Sequence, residues 1–202
     1  MAVKNTAAAN QAKTAVPRLK ALYDNELRAK LQKELGLKNI MEVPSLQKVI
    51  VAVGVGKKKE DKKYLETAKN TIEKITGQFA TARIAKKSIA SFKIRKGMGG
   101  ALGYMTTLRG AKMYEFTDRL INVGLPYTRD FRGVPLKSFD GEGNYALGIA
   151  EQNIFTELSF EELQVLHGLQ VIFVIKNGSR EKSQALLTAF GMPFERVEKG
   201  AK

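Results

Sequence analysis

The most constraining feature of the sequence is a run of 41 residues, from 74 to 114, with nine basic side chains and no Asp or Glu. The basic residues are Lys74, Arg83, Lys86, Lys87, Lys93, Arg95, Lys96, Arg109 and Lys112. They supply most of the formal net charge of +14. A concentrated positive surface attracts polyanions, usually nucleic acid or an anionic membrane. We name residues 74–114 the basic segment.

Residue alternation predicts two β-strands within the basic segment. In residues 91–95, apolar side chains alternate with polar ones that include Lys93 and Arg95. Residues 104–109 alternate in the same way and put Thr107 and Arg109 on one face. The glycine-rich connection between them is too long for a two-residue turn. We predict an antiparallel pair with a partly cationic outer face, although an ordinary hairpin whose polar face is basic fits the same pattern.

The remaining segments predict a mixture of helices and strands. Apolar residues recur at helical spacing in residues 17–35, 64–75, 113–123, 160–166 and 179–190. Apolar runs typical of strands occupy residues 46–53, 146–149 and 169–175. Because the elements alternate irregularly and without a repeat, we predict an α+β fold: two layers, with a mostly antiparallel sheet and helices packed on one face. The open face would then carry Lys93, Arg95, Thr107 and Arg109.

The length favours one folded unit with flexible ends. A chain of 202 residues that is 44% hydrophobic can bury one good core. Residues 1–16 are basic and lack an apolar signal region, so we expect a flexible arm there. We expect a single α+β domain over residues 17–196 and a tail over residues 197–202.

Composition and spacing argue against catalysis, metals and cofactors. The chain has no Cys and a single His, His167, for which we expect a capping or surface role. Asp130 and Asp140 lack partners for acid–base chemistry. The sequence GVGKKK at residues 54–59 departs from the phosphate-binding loop pattern, which requires Ser or Thr after its Gly-Lys pair. No apolar run approaches the 18 residues that span a membrane.

Several blocks of the sequence resemble one known family. The blocks are EVP (42–44), ITGQ (75–78), AKKSIASFKIR (85–95), TLRG (107–110), RDFRG (129–133), SFDG (138–141), GNY (143–145) and MPF (192–194). In this order they resemble the bacterial-type large-subunit ribosomal protein number five, the 5S-rRNA-binding family of the central protuberance. The similarity extends from about residue 16 to residue 196.

The resemblance implies a protein of the cytoplasmic ribosome without catalytic activity. Location in an organellar ribosome is the alternative. Its implied partners are 5S rRNA, a nearby part of 23S rRNA, peptidyl-site tRNA, a small-subunit head protein and other proteins of the central protuberance. The implied rRNA-binding residues are Gln78, Lys86, Lys87, Ser88, Lys93, Arg95, Thr107 and Arg109. The implied tRNA-contact loop is Lys96, Gly97, Met98, Gly99 and Gly100. The implied small-subunit bridge is Tyr127, Arg129, Asp130, Phe131 and Arg132.

Three positions depart from the family pattern. Ala52 stands where the family usually has Asn, which removes one expected RNA hydrogen bond. The tRNA-side loop is about two residues longer than usual and lacks the usual Pro. Tyr127 replaces an Arg, which removes one charge from the bridge loop.

Two other function classes remain as alternatives. A peripheral membrane or acidic-protein binder would use the same positive charge, but it favours cations along one helix opposite an apolar face. The interpretation as a phosphoryl-transfer enzyme would depend on residues 54–59 alone.

Overall fold

Five antiparallel strands form one sheet in the part of the chain that the structure describes. The computed structural model describes residues 16–56, 61–92, 94–97, 101–129 and 131–195. The strands are β1 (Ser45–Gly54), β2 (Thr81–Arg83), β3 (Gly103–Leu108), β4 (Tyr145–Ile149) and β5 (Leu169–Lys176). Their order across the sheet is β2-β3-β1-β5-β4. The longest strand, β1, therefore lies at the centre.

One face of the sheet is buried and the other is open. Along β1, Val49, Val51 and Val53 are buried, whereas Ile50 and Ala52 are only half-buried. This alternation is the strand period of two, with the buried valines facing the helices. The residues paired with Val49, which are Leu108 on β3 and Phe173 on β5, are fully buried as well. The predicted α+β class, with helices on one face, is confirmed.

Six α-helices occur among the described residues. They are α1 (Arg18–Leu22), α2 (Arg28–Glu34), α3 (Lys62–Thr76), α4 (Gly110–Arg119), α5 (Phe160–Leu163) and α6 (Arg180–Ala189). A π-helical turn, Tyr23–Leu27, joins α1 to α2, and a second one, Leu120–Gly124, continues α4. The predicted helical segments are all present.

Helix ends follow the local sequence signals. The Asp61 carboxylate accepts a hydrogen bond from the Tyr64 backbone N–H at 3.2 Å and so caps the start of α3. Gly77 ends α3 in the left-handed conformation, with φ at 61°. Ser179 caps α6 as predicted, and its Oγ accepts from the Lys182 N–H at 3.3 Å.

The predicted first strand of the basic segment is wrong. Residues 90–92 form a 3-10 turn, and backbone hydrogen bonds in both directions between Ile89 and Ile94 close a small loop around it. The physical reason is that β2 already occupies the edge of β3, with Thr81 paired to Met105 and Arg83 to Gly103. The edge of β3 from Gly103 to Met105 is therefore already paired and is not available to residues 91–95. Arg95 therefore lies on a loop, outside the sheet face where we had expected it.

None of the helices in the described ranges is long and apolar enough to span a membrane.

Candidate nucleic-acid interface

The turn between α3 and β2 joins the helix layer to the end of β3. The Gln78 amide donates a hydrogen bond from Nε2 to the Thr107 carbonyl oxygen at 3.1 Å. Lys112 Nζ, in the first turn of α4, donates to the Gly77 carbonyl oxygen at 2.7 Å. Two predicted site residues 29 positions apart, Gln78 and Thr107, are thus in direct contact.

The open face of the sheet and the start of α4 meet at Thr107 and Arg109. Thr107 pairs with Ile50 on β1, a half-buried residue of the open face, so its side chain lies on that face as predicted. Arg109 follows β3 directly with an extended backbone, φ −141° and ψ 163°, and its side chain is exposed. Alternation along an extended chain puts Arg109 on the same side as Thr107. The two polar side chains are therefore neighbours at one corner of the sheet.

The loop after β2 presents further cations. Lys86, Lys87, Arg95 and Lys96 are all exposed. Ser88 is exposed too, but its Oγ already accepts a hydrogen bond from the Lys96 backbone N–H at 2.9 Å. Ser88 therefore holds the loop closed, a structural contact that the sequence did not indicate.

Several predicted site residues lie outside the described residues. They are Lys93 of the rRNA set, Met98, Gly99 and Gly100 of the tRNA-contact loop, and Asp130 of the bridge loop. Of the tRNA-contact loop, Lys96 and Gly97 are described and exposed, and Gly97 has a φ of 73° that favours glycine.

One cation of the basic segment is neutralised by an acid from elsewhere in the chain. Lys74 Nζ lies 2.9 Å from Glu162 Oε1. Desolvation acts to raise the pKa of Glu162, but the hydrogen bonds from Lys74 and Ser159 outweigh it and lower the pKa. Within the described ranges, no other basic side chain of the segment has an Asp or Glu within 4.0 Å. The surface thus keeps its positive charge except at Lys74.

The bridge loop lies at the opposite end of α4. Tyr127, Arg129 and Arg132 are exposed, whereas Phe131 is half-buried and packs against the core. The fifteen helical residues from 110 to 124 separate Arg109 from this loop by about 22 Å at 1.5 Å per residue. The bridge loop and the corner of Thr107 and Arg109 are therefore separate surfaces.

The carboxylate of Asp140 has a structural role. Desolvation acts to raise its pKa, but hydrogen bonds from the Asn144 side chain and from the backbone N–H groups of Asn144, Glu142 and Gly143 outweigh it and lower the pKa. The Asp140 Oδ1 atom lies 3.0 Å from Glu142 N and 2.6 Å from Asn144 N. This ionised carboxylate fixes the turn before β4.

His167 is buried, which corrects the expected surface or capping role. Its side chain is 4% exposed, and burial lowers its pKa. Its backbone N–H donates to Gln152 Oε1 at 2.7 Å, and Nδ1 lies 3.2 Å from the Val165 carbonyl oxygen. Since a carbonyl oxygen only accepts, Nδ1 carries a proton in this contact, and burial favours the neutral form of the ring. His167 packs edge-on against Tyr64, with ring centroids 6.2 Å apart, as part of the core.

The glycines at residues 54–56 do not form a phosphate-binding loop with α3. The helix begins at Lys62, and the carboxylate of Asp61 already occupies its start. That negative charge opposes binding of a phosphate there. Residues 57–59, the lysines of the same motif, lie outside the described residues.

A shallow cavity of about 370 Å³ lies at one end of the open face, beside Ala52. Arg83, Met105 and Gln170 line it, and Ala52 pairs with Met105 on one side and Gln170 on the other. Gln170 is an exposed polar residue in a strand that is otherwise apolar up to its last residue, Lys176. Gln170 was not among the RNA-contact residues predicted from the sequence. The alternation of side chains along β5 was the signal that could have placed it on the open face.

The family comparisons cover most of the chain. Residues 39–95 match the family model described as "Ribosomal protein L5", and residues 101–194 match the model for the C-terminus of the same ribosomal protein family. The large ribosomal subunit protein uL5 of Clostridium botulinum (strain Loch Maree / Type A3) is 50% identical over 181 residues, 90% of this chain and 99% of the relative. The chain belongs to the uL5 family. The uL5 protein of Alkaliphilus oremlandii (strain OhILAs) is 48% identical over 177 residues, 88% of this chain and 98% of the relative.

Membership of the uL5 family shows the broad function. The chain is a structural constituent of the large ribosomal subunit and takes part in translation, and it is not an enzyme. Ribosomal RNA and other ribosomal components are its partners, and its location is the ribosome of the cytoplasm. The resemblance found in the sequence is confirmed.

Proposed function

We propose that this chain binds 5S rRNA through the corner of the sheet formed by Gln78, Thr107 and Arg109. The observation that carries the proposal is the direct contact of Gln78 with Thr107, at 3.1 Å, beside an exposed Arg109. Gln78 donates one N–H to the protein and retains a second N–H and its oxygen for RNA. Such groups suit hydrogen bonding to ribose hydroxyls and phosphates.

The charge of the basic segment supports electrostatic capture of the RNA. Lys86, Lys87, Arg95 and Arg109 have no acidic partner within salt-bridge distance in the described ranges. Each phosphate that these cations neutralise releases counterions, so binding weakens steeply with added salt. The corner then fixes the orientation of an RNA that the wider field attracts.

The loop after β2 is the proposed contact with 23S rRNA. Lys86, Lys87 and Arg95 are exposed on it, and we assign Lys93 to the same set. The Ser88–Lys96 hydrogen bond, at 2.9 Å, limits the motion of the loop and lowers the entropy lost on binding.

The proposed contact with peptidyl-site tRNA is the loop of Lys96, Gly97, Met98, Gly99 and Gly100. Exposure of Lys96 and Gly97 supports it, as does the lack of side chains at the glycines, which lets a backbone approach RNA closely.

The bridge to the small-subunit head is proposed to use Tyr127, Arg129, Asp130, Phe131 and Arg132. Exposed Tyr and Arg side chains are enriched where proteins meet. We also propose contacts with other proteins of the central protuberance.

We further propose that residues 17–196 form a single domain.

A gel-shift titration against 5S rRNA at fixed salt tests the main proposal. We expect Thr107→Ala and Arg109→Ala to weaken binding, and Lys57→Ala to weaken it only slightly. Equal losses at all three positions would indicate a diffuse charge effect in place of the corner. A wild-type chain that fails to shift 5S rRNA at low ionic strength would overturn the proposal.

A further inference from the structure

Phe79 projects into solvent directly beside the proposed corner. Its side chain is 82% exposed, the highest value among the large hydrophobic residues that the structure describes. It follows Gln78 in sequence and lies inside the basic segment, which contains no acid. An exposed phenyl ring on a positively charged surface contributes nothing to the core.

The backbone around Phe79 is held in place. Thr106 Oγ1 donates a hydrogen bond to the Phe79 carbonyl oxygen at 3.3 Å, and the Ala80 N–H donates to Glu73 Oε1 at 3.2 Å. On the other side, Gln78 is attached to Thr107 at 3.1 Å. The backbone that carries the exposed ring is therefore held in place, between residues that are anchored to α3 and β3.

An exposed aromatic ring among cations is a surface suited to single-stranded nucleic acid. Unpaired bases stack on aromatic faces while Lys and Arg neutralise the adjoining phosphates. Lys112 supplies a cation at the turn, since its Nζ lies 2.7 Å from the Gly77 carbonyl oxygen, and Arg109 follows two residues after Thr107, to which Gln78 is hydrogen-bonded. The Glu73 carboxylate at the same turn accepts from the Ala80 N–H and lies 3.9 Å from Lys69 Nζ. An apolar protein surface would meet the same ring, but it would leave these cations desolvated and unpaired.

We propose that Phe79 is a stacking platform for an unpaired base of 5S rRNA. This inference rests on the proposed 5S rRNA binding and adds to it a contact that is not electrostatic. Stacking does not depend on base identity, because every base has a π-face. Phe79 therefore contributes affinity, whereas Gln78, Thr107 and Arg109 supply the polar contacts.

The first test compares variants of Phe79 in 5S rRNA titrations. We expect Phe79→Ala to weaken binding by about five- to 100-fold, the usual range for one base–aromatic stack. Phe79→Tyr should retain binding, and Phe79→Leu should behave like Phe79→Ala because it keeps apolar surface but lacks a ring. The slope of log affinity against log salt should stay at the wild-type value, since no cation is removed. Thermal unfolding of Phe79→Ala should match wild type, because the ring is exposed.

A second test reports the stack directly. The chain contains no Trp, so Phe79→Trp introduces a single fluorophore whose emission a stacked base would quench. Phe160→Trp is the matched control, because Phe160 is 79% exposed and lies outside the basic segment. We expect 5S rRNA to quench Trp at position 79 and to leave Trp at position 160 unchanged.

The outcomes separate this inference from the proposed function. If wild type binds 5S rRNA, Phe79→Ala binds equally well and Trp at position 79 is not quenched, Phe79 is not a stacking platform and the inference is overturned. The same holds if Phe79→Ala impairs only binding to a ribosomal protein. If wild type does not bind 5S rRNA at all, the proposed function itself fails.

Discussion

The Gln78 side chain donates a hydrogen bond from Nε2 to the carbonyl oxygen of Thr107 at 3.1 Å. This contact takes the place of strand pairing, because β2 begins only at Thr81 and its pairing with β3 stops at Met105. The amide thus satisfies a carbonyl at the sheet edge and, with its remaining donor and acceptor, lies at the surface where we propose that RNA binds. One side chain links fold and function at this corner.

We expect Gln78→Ala to reduce 5S rRNA affinity by about two- to twelvefold, the equivalent of one hydrogen bond of about 0.5–1.5 kcal/mol. The measurement is a filter-binding titration at constant salt. Gln164→Ala is the control, because Gln164 is exposed outside the basic segment and should bind as wild type does. Unchanged affinity in Gln78→Ala would mean that the amide acts only within the protein.

Replacement of Arg109 should change the salt dependence as well as the affinity. Each phosphate contact contributes about 0.7–0.9 to the slope of log affinity against log salt. We expect Arg109→Ala to lower the magnitude of this slope by about 1 and to weaken binding at low salt. The measurement is a set of titrations at several salt concentrations.

Arg132→Ala is the matched control for Arg109→Ala. Arg132 is also exposed but lies in the bridge loop, so its removal should leave the slope for 5S rRNA unchanged. A matching drop in slope for both variants would show that total charge, and not the position of Arg109, determines binding.

A third prediction concerns the turn before β4. Gly143 has a φ of 80°, and a Cβ there would lie 2.7 Å from Ser183 Oγ and 2.8 Å from the Ser179 carbonyl carbon. Both the backbone strain and the clash oppose any side chain, so Gly143→Ala should lower the free energy of unfolding by at least about 2 kcal/mol. Urea denaturation measures it. Gly141→Ala, two residues away with nothing within 4 Å of its Cβ, should change stability by less than about 0.5 kcal/mol.

Much of the fold was predictable because it depends on local signals. Alternation in β1 and the glycine after α3 are properties of a few consecutive residues, and the structure agrees with both. The strand predicted at residues 91–95 failed for a non-local reason. Residues 91–95 do alternate between apolar and polar side chains, but Thr81 and Arg83 occupy the pairing positions on β3. A pattern of five residues cannot indicate that another segment takes those positions.

The candidate site was predictable in its charge but not in its contacts. A run without acids identifies the basic segment, yet nothing in the sequence indicated that Glu162 would pair with Lys74 or that Gln78 would contact Thr107. Both pairs join residues that are far apart in the chain. The same holds for His167, whose burial depends on Gln152 and Tyr64 from two other segments.

The buried His167 predicts how stability changes with pH. Burial lowers its pKa from the ordinary value of 6.5, so below that value the unfolded chain binds a proton that the folded protein excludes. The free energy of unfolding is therefore highest above about pH 6.5 and falls as the pH drops toward the folded pKa, by at most about 1.4 kcal/mol per pH unit. Asp140 and Glu162, whose pKa values are also lowered, add their losses of stability only at lower pH, below their ordinary values of 3.8 and 4.5.

We expect His167→Phe, which keeps a ring beside Tyr64, to be less stable than wild type at pH 7.5 but to lose less stability on acidification to pH 5.5. Urea denaturation of both proteins at the two pH values measures the difference. An equal loss in the two proteins would assign the acid sensitivity to groups other than His167.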